Sequence, residues 1–262
     1  MTQNISPTFP SLAGKKGLVV GIANDQSIAY GCARVMRGQG ASLAVTYLNA
    51  KAEPFVRPLA EQLQADIILP LDVETPGQLE TVFEQIGQRW GKLDFVLHAI
   101  AFAPMADLQG RIVDCSAEGF ARAMDVSCHS LIRMARLAEP LMADGGTLIT
   151  MSYYGAQKVI DHYGLMGPVK AALEATVRYL AAELGPGGIC VHAVSPGPIR
   201  TRAASGIGHF EALLDEAASR APQHQLVTIA HVGAVRAMLC SDAAKALTGS
   251  VIFVDGGYHV MG

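Results

Sequence analysis

Two side chains in this sequence have the types and spacing to act together on an oxygen atom that gains negative charge, Tyr163 and Lys170. A phenol with its ordinary pKa of about 10 stays protonated at neutral pH and can aim a hydrogen bond at such an oxygen; an ammonium group beside it is expected to lower that pKa. Seven positions are two helical turns, so both side chains face one site if a helix begins near Tyr163. Lys170 leads directly into AALEATVRYLAAEL, a run rich in helix formers that stops at Gly185-Pro186-Gly187-Gly188. A shorter pair, Tyr154 and Lys158, competes for the same role. The residues after Lys158, Val159-Ile160-Asp161, start no clear helix, so helix register selects Lys170.

The elements that must position this pair follow from periodicity. Short apolar, β-branched runs alternate with longer segments of helical period, as a parallel sheet of βαβ units requires. Strands are expected at 17–21, 43–46, 67–69, 95–97, 147–150, 190–194 and 251–254. Their near-continuous hydrophobicity suits strands covered on both faces. The stretch from about 195 to 224 breaks the alternation: Pro196-Gly197-Pro198 is followed by a short amphipathic segment, an excursion of a length that is usually functional. The whole chain, 1–262, reads as one domain with no internal repeat or linker.

The turn from Gly21 through Ala23, Ser27 and Ile28 to Gly31 joins the first strand to a helix. Small residues there let backbone amides and the helix N-terminus approach a pyrophosphate. Ala23 and Gln26 break the G-x-G-x-x-G spacing, so the segment alone also reads as an ordinary tight turn. Asp72 and Val73 after the third strand suit an adenine edge, and the small residues around Ile100 after the fourth suit a ribose. All these turns fall at carboxyl ends of expected strands, where open α/β sheets bind ligands. After the second strand comes Tyr47-Leu48-Asn49-Ala50-Lys51, where Leu48 is expected to meet the cofactor and no Arg stands for a 2′-phosphate. NADH is therefore favoured over NADPH.

Over nearly its whole length the chain resembles the short-chain dehydrogenase/reductases and, among them, the enoyl-acyl-carrier-protein reductases. The stretched glycine turn with Ser27-Ile28-Ala29 carries the resemblance, with Ser152-Tyr153-Tyr154-Gly155-Ala156, Tyr163 through Lys170, Ser195 through Thr201 with Ala203 to Gly206, and Val254-Asp255-Gly256-Gly257. It implies a doubly wound Rossmann-type fold with a seven-stranded parallel sheet, α/β in class. It also implies hydride addition to Cβ of a trans-2-enoyl thioester, with Tyr163 donating to the thioester oxygen, Lys170 chiefly holding cofactor and Tyr153 lining the site. Ile199 and Thr201 fall to the cofactor and Ala101 and Phe102 to the substrate; from their places in the tyrosine segment and the excursion, Met166 and Phe210 also suit an acyl pocket, Phe210 equally a packing anchor. Ala101 stands where the family usually has glycine, an extra methyl that narrows the pocket. Arg200 and Arg202 flank the expected portal, where an acidic acyl carrier protein would dock. The resemblance further implies a homotetramer. A carbonyl reductase of the same fold and a silent NAD(H)-binding sensor are the alternatives.

The totals exclude other classes. With 50% hydrophobic residues, 16% charged and a net charge of -3, no global field attracts nucleic acid or an anionic membrane. The five scattered cysteines and eight histidines show no metal-ligand spacing, so no metal is expected. No export signal or spanning run is recognisable, which makes the cytoplasm the default.

Overall fold

The computed structural model describes residues 11–201, 204 and 210–261. Arg202, Ala203, Ser205 and Gly206, named above, lie outside the described residues.

Each expected strand forms, within two residues at either end: β1 (Lys16–Val20), β2 (Ser42–Tyr47), β3 (Ile67–Pro70), β4 (Phe95–His98), β5 (Gly146–Met151), β6 (Ile189–Pro196) and β7 (Val251–Val254). They pair in parallel in the order β3-β2-β1-β4-β5-β6-β7. The chain starts in the middle, winds outward to β3, then returns to β4 on the other side of β1. At this reversal the connections leave in opposite directions, opening a crevice above the carboxyl ends of β1 and β4.

Helices cover both faces, and this is why the strands are apolar throughout. On one side α1 (Ile28–Gly38), α2 (Glu53–Gln62) and α9 (Ile229–Leu239) bury Cys32, Met36, Val56 and Val232 against Val19, Leu43, Val45 and Leu97. On the other, α3 (Gln78–Trp90), α6 (Ser130–Ala138) and α7 (Met166–Leu184) bury Ile86, Leu131, Met134, Leu173 and Val177 against Leu18, Val96, Leu148 and Val191. Truncating one of these fully buried leucines to alanine typically costs about 2–5 kcal/mol. The short helices α4 (Met105–Gln109) and α5 (Ala117–Met124) follow β4, and α8 (Phe210–Arg220) forms the amphipathic part of the excursion after β6.

Two features depart from the expectations. The long helix begins at Met166, after Tyr163, because the chain first passes through left-handed His162 and Gly164 (φ 62° and 47°), conformations an α-helix does not contain. A single π-turn, Asp125–His129, joins α5 to α6, and no pattern in the sequence announces it.

Candidate active site

The site is assembled where four strand ends converge. Beyond β1, Gly21 adopts φ 112°, and a Cβ on it would lie 2.1 Å from the carbonyl oxygen of Ala99. Only glycine lets the first turn pass this close to the chain leaving β4. Ser27 then folds back: its Oγ accepts from the amides of Ala23 and Asn24, both at 3.0 Å, and makes no cap bond to α1. In the first turn of α1 the amides of Tyr30 and Gly31 donate to the Ser27 carbonyl at 3.0 and 3.1 Å, which leaves those of Ile28 and Ala29, among the described residues, for a ligand in the crevice.

A cleft of about 270 Å³ occupies this crevice. Gly21, Ala23, Ser27 and Ile28 from the first turn line it, with Ile100, Ala101 and Phe102 from the loop after β4 and Ile199, Thr201 and Phe210 from the excursion after β6. Tyr153, Tyr163, Met166 and Lys170 complete it. Leu48, Asp72 and Val73, assigned to the cofactor from sequence, do not line it. They sit at the carboxyl ends of β2 and β3, with Leu48 exposed, Val73 in the core and the Asp72 carboxylate accepting from the Glu74 amide at 3.0 Å. Asn49 caps its own turn, accepting from Lys51 and Ala52. Arg57 lies over the Tyr47 ring and pairs with Glu53 at 2.5 Å. Sequence spacing did not bring Arg57 to this strand end; one turn of α2 does.

Tyr163 and Lys170 share the cleft although Tyr163 precedes the helix. The rings of Tyr153 and Tyr163 meet edge to face, centroids 4.8 Å apart and planes at 60°. Gly155 makes the approach possible, since a Cβ there would lie 2.4 Å from the Tyr163 ring. The Tyr153 hydroxyl is buried with no hydrogen-bond partner among the described residues. Lys170 is 5% exposed and donates to the Met151 carbonyl at 2.7 Å, so two of its three N–H donors remain for a ligand.

The electrostatics correct one expectation. Lys170 does not lower the Tyr163 phenol. Burial raises it, helped by Tyr153 and then Glu174, and the ammonium is turned to Met151. Tyr163 therefore stays firmly protonated and acts as a hydrogen-bond donor. Burial also raises Tyr153 and pulls Lys170 down to about 8. Behind the site His98, buried between Thr150 Oγ1 and Ser130 Oγ at 2.7 Å each, is pushed down to about 3 and is neutral.

The competing pair stands elsewhere. Tyr154 lies in a short 3₁₀ turn, Lys158 is exposed, and both line a neighbouring cavity of about 410 Å³ with Glu216 and Tyr258. Arg200 pairs with Glu211 at the start of α8, both side chains exposed.

Several residues of the site went unread in the sequence. Ser127, in the π-turn, accepts from the Phe102 amide at 2.9 Å and donates to its carbonyl at 3.1 Å, fixing the loop after β4. Ser152 and Gln157 both bond Glu174. Glu174 stands four residues after Lys170, a spacing that places both on one helix face and was legible. The donor set suits a nicotinamide dinucleotide: two free helix amides for phosphates, an ammonium with two unused N–H donors for ribose hydroxyls and a protonated phenol in the same cleft.

The comparisons agree with this geometry. Residues 21–259 match the family model described as enoyl-(acyl carrier protein) reductase. An enoyl-(acyl-carrier-protein) reductase (NADH) of Rickettsia felis is 45% identical over 251 residues, 96% of either chain. A crystal structure of the Anaplasma phagocytophilum reductase in complex with NAD superposes with a TM-score of 0.93 at 44% identity, covering 98% of both chains. The Bacillus cereus reductase, solved with NADP+ and an indole naphthyridinone, gives 0.94 at 43% identity, covering 97% of this chain and 100% of its own. This chain belongs to the enoyl-acyl-carrier-protein reductase family of the short-chain dehydrogenase/reductases.

Proposed function

We propose that this chain reduces the trans-2,3 double bond of enoyl-acyl-carrier-protein thioesters in fatty acid synthesis, with NADH as reductant. The observation that carries this reading is the meeting of a protonated Tyr163 and a partly free Lys170 in one cleft, beside open helix amides, in a chain of this family.

When bound, NADH would supply the hydride for Cβ of the substrate, and the enolate so formed would take the proton for Cα from solvent. Tyr163 donates a hydrogen bond to the thioester oxygen, where negative charge grows as Cβ is reduced. A preplaced donor in a dry site lowers that barrier more than it stabilises the uncharged ground state. Because burial keeps the phenol protonated, Tyr163 works by holding its proton at the oxygen. Tyr153 packs the Tyr163 ring and presents a second buried hydroxyl to the cleft. Lys170 holds ribose hydroxyls with its free donors. The amides of Ile28 and Ala29, at the start of α1 beside Gly21, hold the pyrophosphate, Ile199 and Thr201 close over the nicotinamide side, and Leu48, Asp72 and Val73 extend the site toward the adenosine. Ala101, Phe102, Met166 and Phe210 enclose the acyl chain.

NADH is preferred because the β2 end offers no free guanidinium for a 2′-phosphate; Arg57 there is paired with Glu53. Arg200, with Arg202, receives the acidic carrier. A homotetramer is the expected assembly, supported by Phe120, Ile132 and Tyr179 left exposed on α5, α6 and α7. The cytoplasm is the expected location; among the described residues no helix is long and apolar enough to cross a membrane.

The test follows NADH consumption with a trans-2-enoyl thioester and, separately, a 3-ketoacyl thioester. Turnover of the enoyl substrate is expected. Turnover of the ketone alone would make the chain a carbonyl reductase, and tight NADH binding without turnover would make it a sensor.

A further inference from the structure

We propose that Glu174 is a positioning residue of this site, clasping both ends of the turn 152–157 to α7 so that Tyr153, and through its ring Tyr163, keep their place beside Lys170. The proposal rests on reading the chain as an enoyl reductase.

Glu174 is 5% exposed and stands one helical turn beyond Lys170. Its Oε1 accepts from Ser152 Oγ at 2.5 Å and its Oε2 from Gln157 Nε2 at 3.2 Å. These two donors bracket Tyr153, Tyr154, Gly155 and Ala156, so one carboxylate ties down the segment that carries Tyr153. Gly155, within the clasp, is where the Tyr163 ring packs. Loosening the turn therefore moves both tyrosines.

A buried carboxylate held only by neutral donors is costly unless a positive charge stands near. Among the described residues Glu174 forms no ion pair within 4.0 Å; burial pulls Lys170 down, and Cys128 first and then Glu174, one turn away, favour the ammonium against it. The other groups that act on or feel Lys170 are Cys128 from the π-turn and His98 from β4, which is neutral. Glu174 is thus the anchor of the turn and a lesser support, after Cys128, for the charge on Lys170, and substitution separates the two roles. Glu174→Gln keeps the shape and an acceptor for Ser152 but removes the charge; Glu174→Ala removes both.

The experiment compares the unaltered chain, Glu174→Gln, Glu174→Ala and Ser152→Ala. Lys170 is titrated by nitrogen NMR in the cofactor-free protein, NADH affinity is measured by fluorescence, and kcat and KM are measured with an enoyl thioester. In Glu174→Gln the Lys170 titration is expected to move below its ordinary position in this protein, with kcat at neutral pH within about threefold. In Glu174→Ala kcat is expected to fall about tenfold or more, with KM changed less than about threefold; Ser152→Ala falls between. An unmoved Lys170 titration in Glu174→Gln would overturn the proposal. So would a Glu174→Ala protein that loses thermal stability and keeps its kcat. The titration needs no substrate, so absence of enoyl turnover in the unaltered chain overturns the assigned activity alone.

Discussion

The ring of Tyr163 rests edge to face on that of Tyr153, centroids 4.8 Å apart, in a site where burial raises both phenols. One hydroxyl is therefore always protonated where the substrate oxygen must lie, and the neighbouring ring holds it there. The two tyrosines divide the work: Tyr163 acts on the oxygen, and Tyr153 acts on Tyr163.

Removing the Tyr163 hydroxyl should cost catalysis and spare cofactor binding. Tyr163→Phe is expected to lower kcat/KM for an enoyl thioester on the order of 10²-fold, the scale of one lost oxyanion donor. Its NADH affinity, measured by fluorescence titration, stays within about threefold. Tyr153→Phe, which keeps the ring contact, is expected to lose less.

Lys170 gives a pH dependence with opposite signs for binding and stability. Burial holds it at about 8, below its unfolded value of about 10.4. Between those values the unfolded chain binds the proton and the folded chain does not, so this group adds stability as pH rises. Over the same interval the folded protein loses the ammonium that holds ribose. NADH affinity is expected to fall about tenfold between about pH 7 and pH 9.5. Lys170→Met should weaken NADH binding at pH 7 and abolish this pH dependence without lowering Tm, because an uncompensated buried charge has gone. A Lys170→Met protein with the original pH dependence would assign the titration to another group.

Ala101 lines the cleft beside Phe102. Deleting its methyl widens the space next to the expected nicotinamide and acyl positions. Ala101→Gly is expected to bind flat aromatic inhibitors about 3- to 10-fold more tightly, as isothermal titration would measure. Equal affinities for the two proteins would remove the steric explanation.

Arg200 is tied to Glu211 only by an exposed pair, the kind that contributes at most about 1 kcal/mol and gives way to a better partner. Reversing the charge at Arg200 and Arg202 is expected to raise KM for a carrier-linked enoyl substrate about threefold or more at low salt. KM for a small neutral thioester should not change. An unchanged KM for the carrier-linked substrate at low salt would contradict docking at this face.

The strands were legible in the sequence because each is apolar on both faces and bounded by turn residues, a pattern that helices on both sides of a parallel sheet impose. Lys170 was legible for a similar reason: its helix runs unbroken to Leu184. The start of that helix was not, since periodicity cannot see the left-handed backbone at His162 and Gly164. Nor could the spacing foresee that Lys170 would turn to a backbone carbonyl and leave the phenol to burial. Buried polar contacts were the least legible. Ser127 meets Phe102 from 25 positions away through a π-turn, and Arg236, fully buried in α9, donates to the Thr150 carbonyl across 86 positions. Such partners are chosen by the assembled fold and leave no local period.

The most direct test of the account is a crystal structure of the protein with NADH and a non-reducible trans-2-enoyl thioester analogue. The account predicts the Tyr163 hydroxyl at hydrogen-bond distance, about 2.6–3.2 Å, from the thioester oxygen, with the Lys170 ammonium on the ribose hydroxyls. A thioester oxygen held by another group, with the Tyr163 ring turned away and Lys170 off the sugar, would contradict it.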